Sequence, residues 1–75
     1  MHRRLPAVRP RELIRALQRA GFEIDHQTGS HVVLYKPGHP KPVSVPLHNR
    51  DMKRGLLLGI LKDAGLSPEE FADLL

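Results

Sequence analysis

One histidine at the start of a predicted strand is the residue in this chain best suited to chemistry. His31 follows the turn dipeptide Thr28-Gly29 in the stretch TGSHVVLYKP, and an apolar run, residues 32–35, comes directly after it. Imidazole titrates near neutral pH, so an exposed histidine can accept or donate a proton under physiological conditions. Its use depends on which elements expose it and on the substrate that they present to it.

RNA is a substrate that a single imidazole can cleave. Imidazole can take the proton of a ribose 2′-hydroxyl or give one to the leaving 5′-oxygen. Cations beside it would stabilise the charge that develops on the phosphate, and Lys36, Lys53 and Arg54 stand at predicted strand and helix ends near His31. His48 is a possible second acid or base, although a solvated residue at a strand end is the more common case. The reaction then needs no metal ion and no cofactor.

The distribution of charge favours a polyanionic partner. Residues 1–54 carry 11 Lys and Arg against 4 Asp and Glu, whereas residues 55–75 carry 1 against 4. A basic body with an acidic end indicates binding to nucleic acid. The chain has no cysteine, and its histidines lack the spacing of metal ligands, so we predict neither a disulfide nor a metal site.

Length and hydropathy indicate one domain, residues 1–75, with residues 1–8 as a flexible arm. No apolar segment approaches the roughly 18 residues of a membrane span. The charged start lacks the apolar core of a signal peptide. We therefore expect a cytoplasmic protein that makes no contact with membranes.

The pattern of apolar residues predicts two long helices, three strands and a short last helix. RELIRALQRA is amphipathic and ends at Gly21, and residues 54–64 form the second helix, with Asn49 and Asp51 as possible caps. Three alternating segments near residues 22–27, 31–36 and 43–48 read as strands. Ser67 begins a capping box for the last helix. The fold class is α+β, a two-layer α-β-β-β-α domain whose three-stranded antiparallel sheet carries the helices on one face.

Alternation within each strand predicts which side chains face outward, on the open side of the sheet. The predicted outward set is Glu23, Asp25, Gln27, His31, Val33, Tyr35, Ser44, Pro46 and His48. Pairing Lys36 with Val43 would set His31 opposite His48, and shifts of two residues would set it opposite Pro46 or Arg50. Tyr35 is a possible secondary RNA-contacting residue on the same face.

The chain resembles the HicA toxins, also described as YcfA-like, which are small RNA-cleaving partners of HicB antitoxins. The resemblance covers about residues 9–75 and rests on RELIRALQRAGFEI, on GSH at 29–31, on VPLH at 45–48 and on the segment from KRGLL to EEF. It implies a fold like a double-stranded-RNA-binding domain, metal-independent cleavage of mRNA and a HicB-like antitoxin as partner. The family's essential histidine corresponds to His31. The resemblance also places Gly29 and Ser30 at the RNA, with Gly29 allowing a tight turn and close approach of the backbone.

Two departures from the family pattern concern the strength of catalysis. Val32 and Val33 stand where a basic or aromatic residue often follows GSH, and Gly55-Leu56-Leu57 stands where Gly-Thr-Leu often begins the second helix. A non-catalytic RNA-binding module on the same fold is the alternative function. A third possibility is a domain whose partner is only another protein.

Overall fold

The computed structural model describes residues 5–75 as three helices and three strands. In chain order they are α1 (Pro10–Arg19), β1 (Glu23–Thr28), β2 (His31–Tyr35), β3 (Val43–Pro46), α2 (Arg54–Ala64) and α3 (Pro68–Leu74). The predicted order of elements is confirmed. The architecture is a two-layer α+β fold of the kind found in double-stranded-RNA-binding domains.

The first residues of the chain are partly outside this description. Of the predicted arm, residues 1–8, the structure describes only residues 5–8. Within that part Val8 is buried, and its carbonyl accepts a hydrogen bond of 2.7 Å from the N–H of Met52. Leu5 also packs against the core. The described end of the segment is therefore held against the body of the protein.

Strand β2 lies at the centre of an antiparallel sheet with the order β1-β2-β3. Its Val32 and Leu34, with Val43 and Val45 of β3, are almost fully buried. These four side chains share one apolar cluster with the buried residues of α1 and α2. Both long helices therefore cover the same face of the sheet, and the other face is open, as the alternation predicts.

Strand β1 departs from the half-buried pattern that its sequence predicts. All six of its residues are exposed, and Ile24, expected to face the helices from within the core, retains 48% exposure. The strand lies at the edge of the sheet, and its pairing with β2 is interrupted by a bulge between Ile24 and His26. A bulge bends and twists an edge strand away from its neighbour. This explains why the prediction of a half-buried strand was wrong.

Helix α1 forms where a strong apolar stripe meets clear signals at both ends. Pro10 occupies the first turn, where its missing N–H removes no helical hydrogen bond. Glu12 accepts a hydrogen bond of 3.0 Å from the backbone N–H of Arg9 at the start of the helix. Gly21 follows the helix with a φ of 101°, a conformation that favours glycine. The chain leaves the helix there and buries Phe22 in the core.

Helix α2 begins without the side-chain cap that the sequence suggests. The residue before its first turn is Lys53, which makes no capping hydrogen bond, so the prediction of Asn49 or Asp51 as caps was wrong. Asp51 instead lies 4.0 Å from the Nε of Arg9. The end of α2 does follow prediction. Gly65 has a φ of 74°, and the next N–H along the chain bonds back into the last helical turn, as in a Schellman motif.

Helix α3 is fixed by a capping box at its start and by contacts with the body. Ser67 Oγ accepts a hydrogen bond of 3.1 Å from the N–H of Glu70, and the Ser67 N–H donates one of 2.9 Å to the Glu70 carboxylate. Phe71 is fully buried. The guanidinium of Arg19 in α1 donates to the carbonyl of Leu74 over 2.6 Å. These contacts explain how a helix of seven residues is stable here.

Candidate functional site

The turn between β1 and β2 places His31 at the first position of the central strand. Thr28 pairs with His31 across a two-residue turn made of Gly29 and Ser30. The N–H of Leu47 donates a hydrogen bond of 2.7 Å to the carbonyl of Ser30. This bond continues the pairing of β2 with β3 beyond the last paired residues. The backbone that carries His31 is therefore held from both neighbouring strands.

The imidazole of His31 is exposed, as predicted, and lies on the open face. Its strand neighbours in the core, Val32 and Leu34, point to the opposite side. Its Nδ1 lies 3.1 Å from the hydroxyl of Ser30. Among the described residues, its Nε2 has no hydrogen-bond partner. One ring nitrogen is thus held by the protein, and the other is available to exchange a proton with a substrate.

Gly29 does not have the conformational role that the sequence suggests. Gly21, Gly38 and Gly65 adopt positive φ, but Gly29 does not. A Cβ at this position would meet no atom within 4 Å. The tight turn at Gly29 therefore does not use the positive φ that glycine allows, and an ordinary L residue would fit there. The same open space leaves room for a substrate backbone to come close.

His48 is not the cross-strand neighbour of His31. The structure pairs Leu34 with Val43 and His31 with Pro46, which is one of the alternative registers and not the one that pairs Lys36 with Val43. The proline-rich loop begins at Lys36 and leaves it out of the ladder. His48 is exposed beyond the end of β3, and its Nδ1 accepts a hydrogen bond of 3.1 Å from the N–H of Arg50.

The bulge in β1 changes which of its residues share the face of His31. His26 pairs with Val33, and Gln27 pairs with Val32. Since directly paired residues of adjacent strands project to the same side, His26 joins the open face and Gln27 the helical side. The prediction that Gln27 faces outward was therefore wrong. Sequence reasoning gave His26 no role, because simple alternation places it on the other side.

The three predicted cations lie in different places. Lys53 lines a groove together with Pro46, the strand partner of His31, and with His48. Arg54 borders another depression, beside Met52 and Leu57. Lys36 follows the far end of β2, and its Nζ lies 5.7 Å from the centre of the Phe22 ring. Of the three, Lys53 is the cation that shares a groove with the strand partner of His31.

Tyr35 shares the open face with His31. The two lie four residues apart on β2, a separation of roughly 13 Å along a strand. Tyr35 is 42% exposed, and it pairs with Glu23 of β1. Phe22 and Phe71 are buried, so Tyr35 is the one exposed Phe or Tyr ring in the described part of the chain.

His39 has a structural position that the sequence did not indicate. Its Nε2–H donates a hydrogen bond of 2.6 Å to the carbonyl of Asp63 in the last turn of α2. Its ring meets that of Phe22 edge to face, with the centroids 5.4 Å apart. The residue fastens the loop after β2 to the helical layer. A histidine between glycine and proline in a loop carries no sequence signal for this contact.

A comparison with protein-family models identifies the chain. The model described as the HicA toxin of bacterial toxin–antitoxin systems matches residues 10–66, which is more than half of the sequence. The chain belongs to the HicA toxin family. No curated protein matches its sequence. The family match starts at α1 and ends directly after Gly65, so it contains the sheet, α2 and His31.

Family membership makes the chain a toxin-type member of a toxin–antitoxin system, a class whose toxins generally cleave RNA. The predicted resemblance extended to residue 75, whereas the family match stops before α3. In this HicA-family chain the capping box and the rest of α3 lie outside the matched segment, and α3 is joined to that segment by the hydrogen bond from Arg19 to Leu74.

Two findings bear on metals and membranes. Within residues 5–75, no three His, Asp or Glu side chains converge closely enough to hold a metal ion. In the same residues, no helix is both long enough and apolar enough to cross a membrane.

Proposed function

We propose that this HicA-family chain is an endoribonuclease that cleaves mRNA and that His31 is its general acid or base. The observation that supports the proposal is the state of the His31 imidazole. Nδ1 is held by Ser30 over 3.1 Å, and the ring is exposed on the side of the sheet that the helices leave open. RNA brings its own nucleophile, the 2′-hydroxyl, so positioned proton transfer and phosphate contacts suffice without a metal ion.

Recognition of the substrate would combine stacking with contacts to phosphate. An unpaired strand that crosses the open face meets Tyr35 at one end and the turn of Gly29 and Ser30 at the other. Lys53 lies in the groove beside Pro46 and would contact a phosphate near the bond that is cleaved. Lys36 and Arg54 would then contribute only to more distant parts of the strand. Stacking on aromatic rings is the usual way in which unpaired bases are bound.

A HicB-like antitoxin is the protein partner that we propose. The chain belongs to a family of toxins from toxin–antitoxin systems. An antitoxin that blocks the proposed cleavage would keep RNA away from His31. Cleavage of translated mRNA requires that the protein act in the cytoplasm.

The decisive experiment compares wild-type protein with His31→Ala, using Gln27→Ala as the control. Gln27 is exposed on the side of the sheet opposite His31. On induction in bacteria, wild type and Gln27→Ala should arrest growth and degrade mRNA, and His31→Ala should do neither. In vitro the cleavage rate of His31→Ala should fall by about 10²–10⁴-fold, and chelator should leave the wild-type rate unchanged. Full cleavage by folded His31→Ala protein would refute the proposal.

Other outcomes would indicate the alternative functions. RNA binding without cleavage by wild-type protein would make the chain a non-catalytic RNA-binding module. Binding to a partner protein that is insensitive to RNA, with no RNA affinity, would make it a protein-interaction domain. Loss of activity in His48→Ala equal to that in His31→Ala would give His48 a direct role. We expect a smaller loss, because His48 lies beyond the end of β3.

A further inference from the structure

The bulge in β1 brings a second imidazole to the face that carries His31. Pairing is regular at Ile24 with Leu34 and resumes at His26 with Val33, so Asp25 is the extra residue. Because of the inserted residue, the side chains that follow it in β1 project to the opposite faces from those that simple alternation predicts. β-Bulges occur often beside active sites, where they re-aim a side chain. In this chain the side chain that the bulge re-aims is that of His26.

The register fixes the separation of the two histidines on the open face. His31 pairs with Thr28, and His26 lies two residues before Thr28 on the same strand. Residues in this diagonal relation are about 7–8 Å apart. Both side chains are exposed. A phosphodiester group can therefore lie between the two rings and contact both.

Asp25 orients the ring of His26. Its Oδ2 lies 2.7 Å from Nδ1 of His26. A carboxylate at Nδ1 keeps the hydrogen on that nitrogen and leaves the lone pair of Nε2 free. Other aspartate–histidine pairs hold the imidazole in one tautomer and one orientation in the same way. His31 differs, because its Nδ1 meets only the neutral hydroxyl of Ser30.

We propose that His26 is the general base of the RNA-cleaving site, that His31 is its general acid, and that Asp25 is the positioning residue of His26. The inference rests on the proposed function. Nε2 of His26 takes the proton of the 2′-hydroxyl, and the 2′-oxygen bonds to phosphorus. The bond from phosphorus to the 5′-oxygen breaks, and protonated His31 gives its Nε2 proton to that oxygen. The products are a 2′,3′-cyclic phosphate and a 5′-hydroxyl, and one proton has moved from His31 to His26.

Two RNA substrates separate the roles of the two histidines. The first is an ordinary oligoribonucleotide with one cleavage site, mapped with wild-type protein. The second carries sulfur in place of the bridging 5′-oxygen at that site, and its thiolate leaves without being protonated. On the first substrate, His26→Ala and His31→Ala should each be slower than wild type by about 10²–10⁴-fold. On the second, His31→Ala should recover most of the wild-type rate, and His26→Ala should stay slow.

The controls keep a folding defect apart from a catalytic one. Gln27→Ala, on the same strand but on the helical side, should behave as wild type on both substrates. His26→Gln should match His26→Ala, and circular dichroism should show both folded. Asp25→Asn should lower kcat with little change in KM, and the nitrogen NMR shifts of the His26 ring should show a changed tautomer. Asp25→Glu should restore part of the rate.

Each failure has its own meaning. Wild-type cleavage rates in His26→Ala, with His31→Ala inactive, would overturn this inference and leave the proposed function intact. If the substrate with the bridging sulfur restored the rate of His26→Ala and not that of His31→Ala, the assignment of acid and base would be overturned. Equal cleavage by wild type and His31→Ala would overturn the proposed function itself.

Discussion

The hydroxyl of Ser30 lies 3.1 Å from Nδ1 of His31, although both side chains are exposed and adjacent in sequence. A side chain at a turn would otherwise sample several rotamers. We expect Ser30→Ala to lower kcat by up to about tenfold, since one net hydrogen bond contributes roughly 0.5–1.5 kcal/mol. Single-turnover cleavage of an RNA oligonucleotide measures this loss.

The conservative variant Ser30→Thr distinguishes orientation of His31 from contact with phosphate. Threonine keeps the hydroxyl and should restore most of kcat. If Ser30 instead binds phosphate, Ser30→Ala will raise KM and leave kcat near wild type. A loss confined to KM would therefore contradict the role of orienting His31.

Gly29→Ala should leave the fold unchanged. The position does not have a positive φ, and an added Cβ would meet nothing within 4 Å. Gly65→Ala is the matched comparison, because Gly65 has a φ of 74°, where an L residue costs about 1–2 kcal/mol. Thermal unfolding should show a lower Tm for Gly65→Ala alone. If Gly29→Ala folds normally but cleaves RNA more slowly, the added methyl group must clash with RNA that lies beside the turn.

The parts of the fold that the sequence predicted are those with a strong local signal. Alternation in β2 and β3 gave the buried residues Val32, Leu34, Val43 and Val45, because a one-residue slip would expose all of them. The helical spacing of apolar residues predicted the buried side of α2 correctly, and the capping box at Ser67 predicted where α3 begins. Exposure of His31 followed from the same alternation.

The parts that sequence reasoning missed depend on contacts between distant segments. The bulge at Asp25 reverses the faces of His26 and Gln27, and alternation carries no sign of it. Alternation left three pairings open for His31, opposite His48, Pro46 or Arg50, and the structure has the one with Pro46. Sequence reasoning therefore left the register of His31 open and gave His26 no role.

Stability should fall on acidification through the capping box of α3. The backbone N–H of Ser67, and then its side chain, lower the pKa of Glu70 in the folded state. A lowered folded pKa means that the stabilisation is present above the unfolded pKa and is lost as pH falls through the folded pKa. Thermal unfolding between neutral and acidic pH should therefore show a smaller pH dependence in Glu70→Gln than in wild type.

Ser67→Ala tests the same capping box by removing the hydroxyl that accepts a hydrogen bond from the N–H of Glu70. Loss of an N-cap hydroxyl typically costs about 1 kcal/mol, so the variant should unfold at a lower temperature at neutral pH. Since Phe71 anchors α3 in the core, the loss should appear in global unfolding as well as in local hydrogen exchange of α3. An unchanged Tm would show that the box does not contribute to the stability of the fold.

Tyr35→Ala should weaken binding of single-stranded RNA by at least about fivefold. Stacking of a base on an aromatic ring contributes about 1–3 kcal/mol by alanine substitution, and Tyr35 is exposed on the face of His31. Tyr35→Phe keeps the ring and should bind as wild type. Fluorescence anisotropy with labelled RNA measures both. Equal weakening by the two variants would mean that the phenolic hydroxyl, and not the ring, contacts RNA.

Removal of one phosphate contact should change how RNA affinity depends on salt. Lys53 lies in the groove next to Pro46, the strand partner of His31. Each contact with a single strand contributes about 0.7 to the slope of log affinity against log salt, so Lys53→Ala should reduce the slope by about that amount. Lys62→Ala is the matched control, because it removes the same charge from the other end of α2. Lys62 lies roughly 14 Å from Lys53 along the helix axis. Lys62→Ala should keep the wild-type slope, because its position lies away from the groove of Lys53. If both variants reduce the slope equally, RNA is attracted by the overall charge of the protein and not held by this groove.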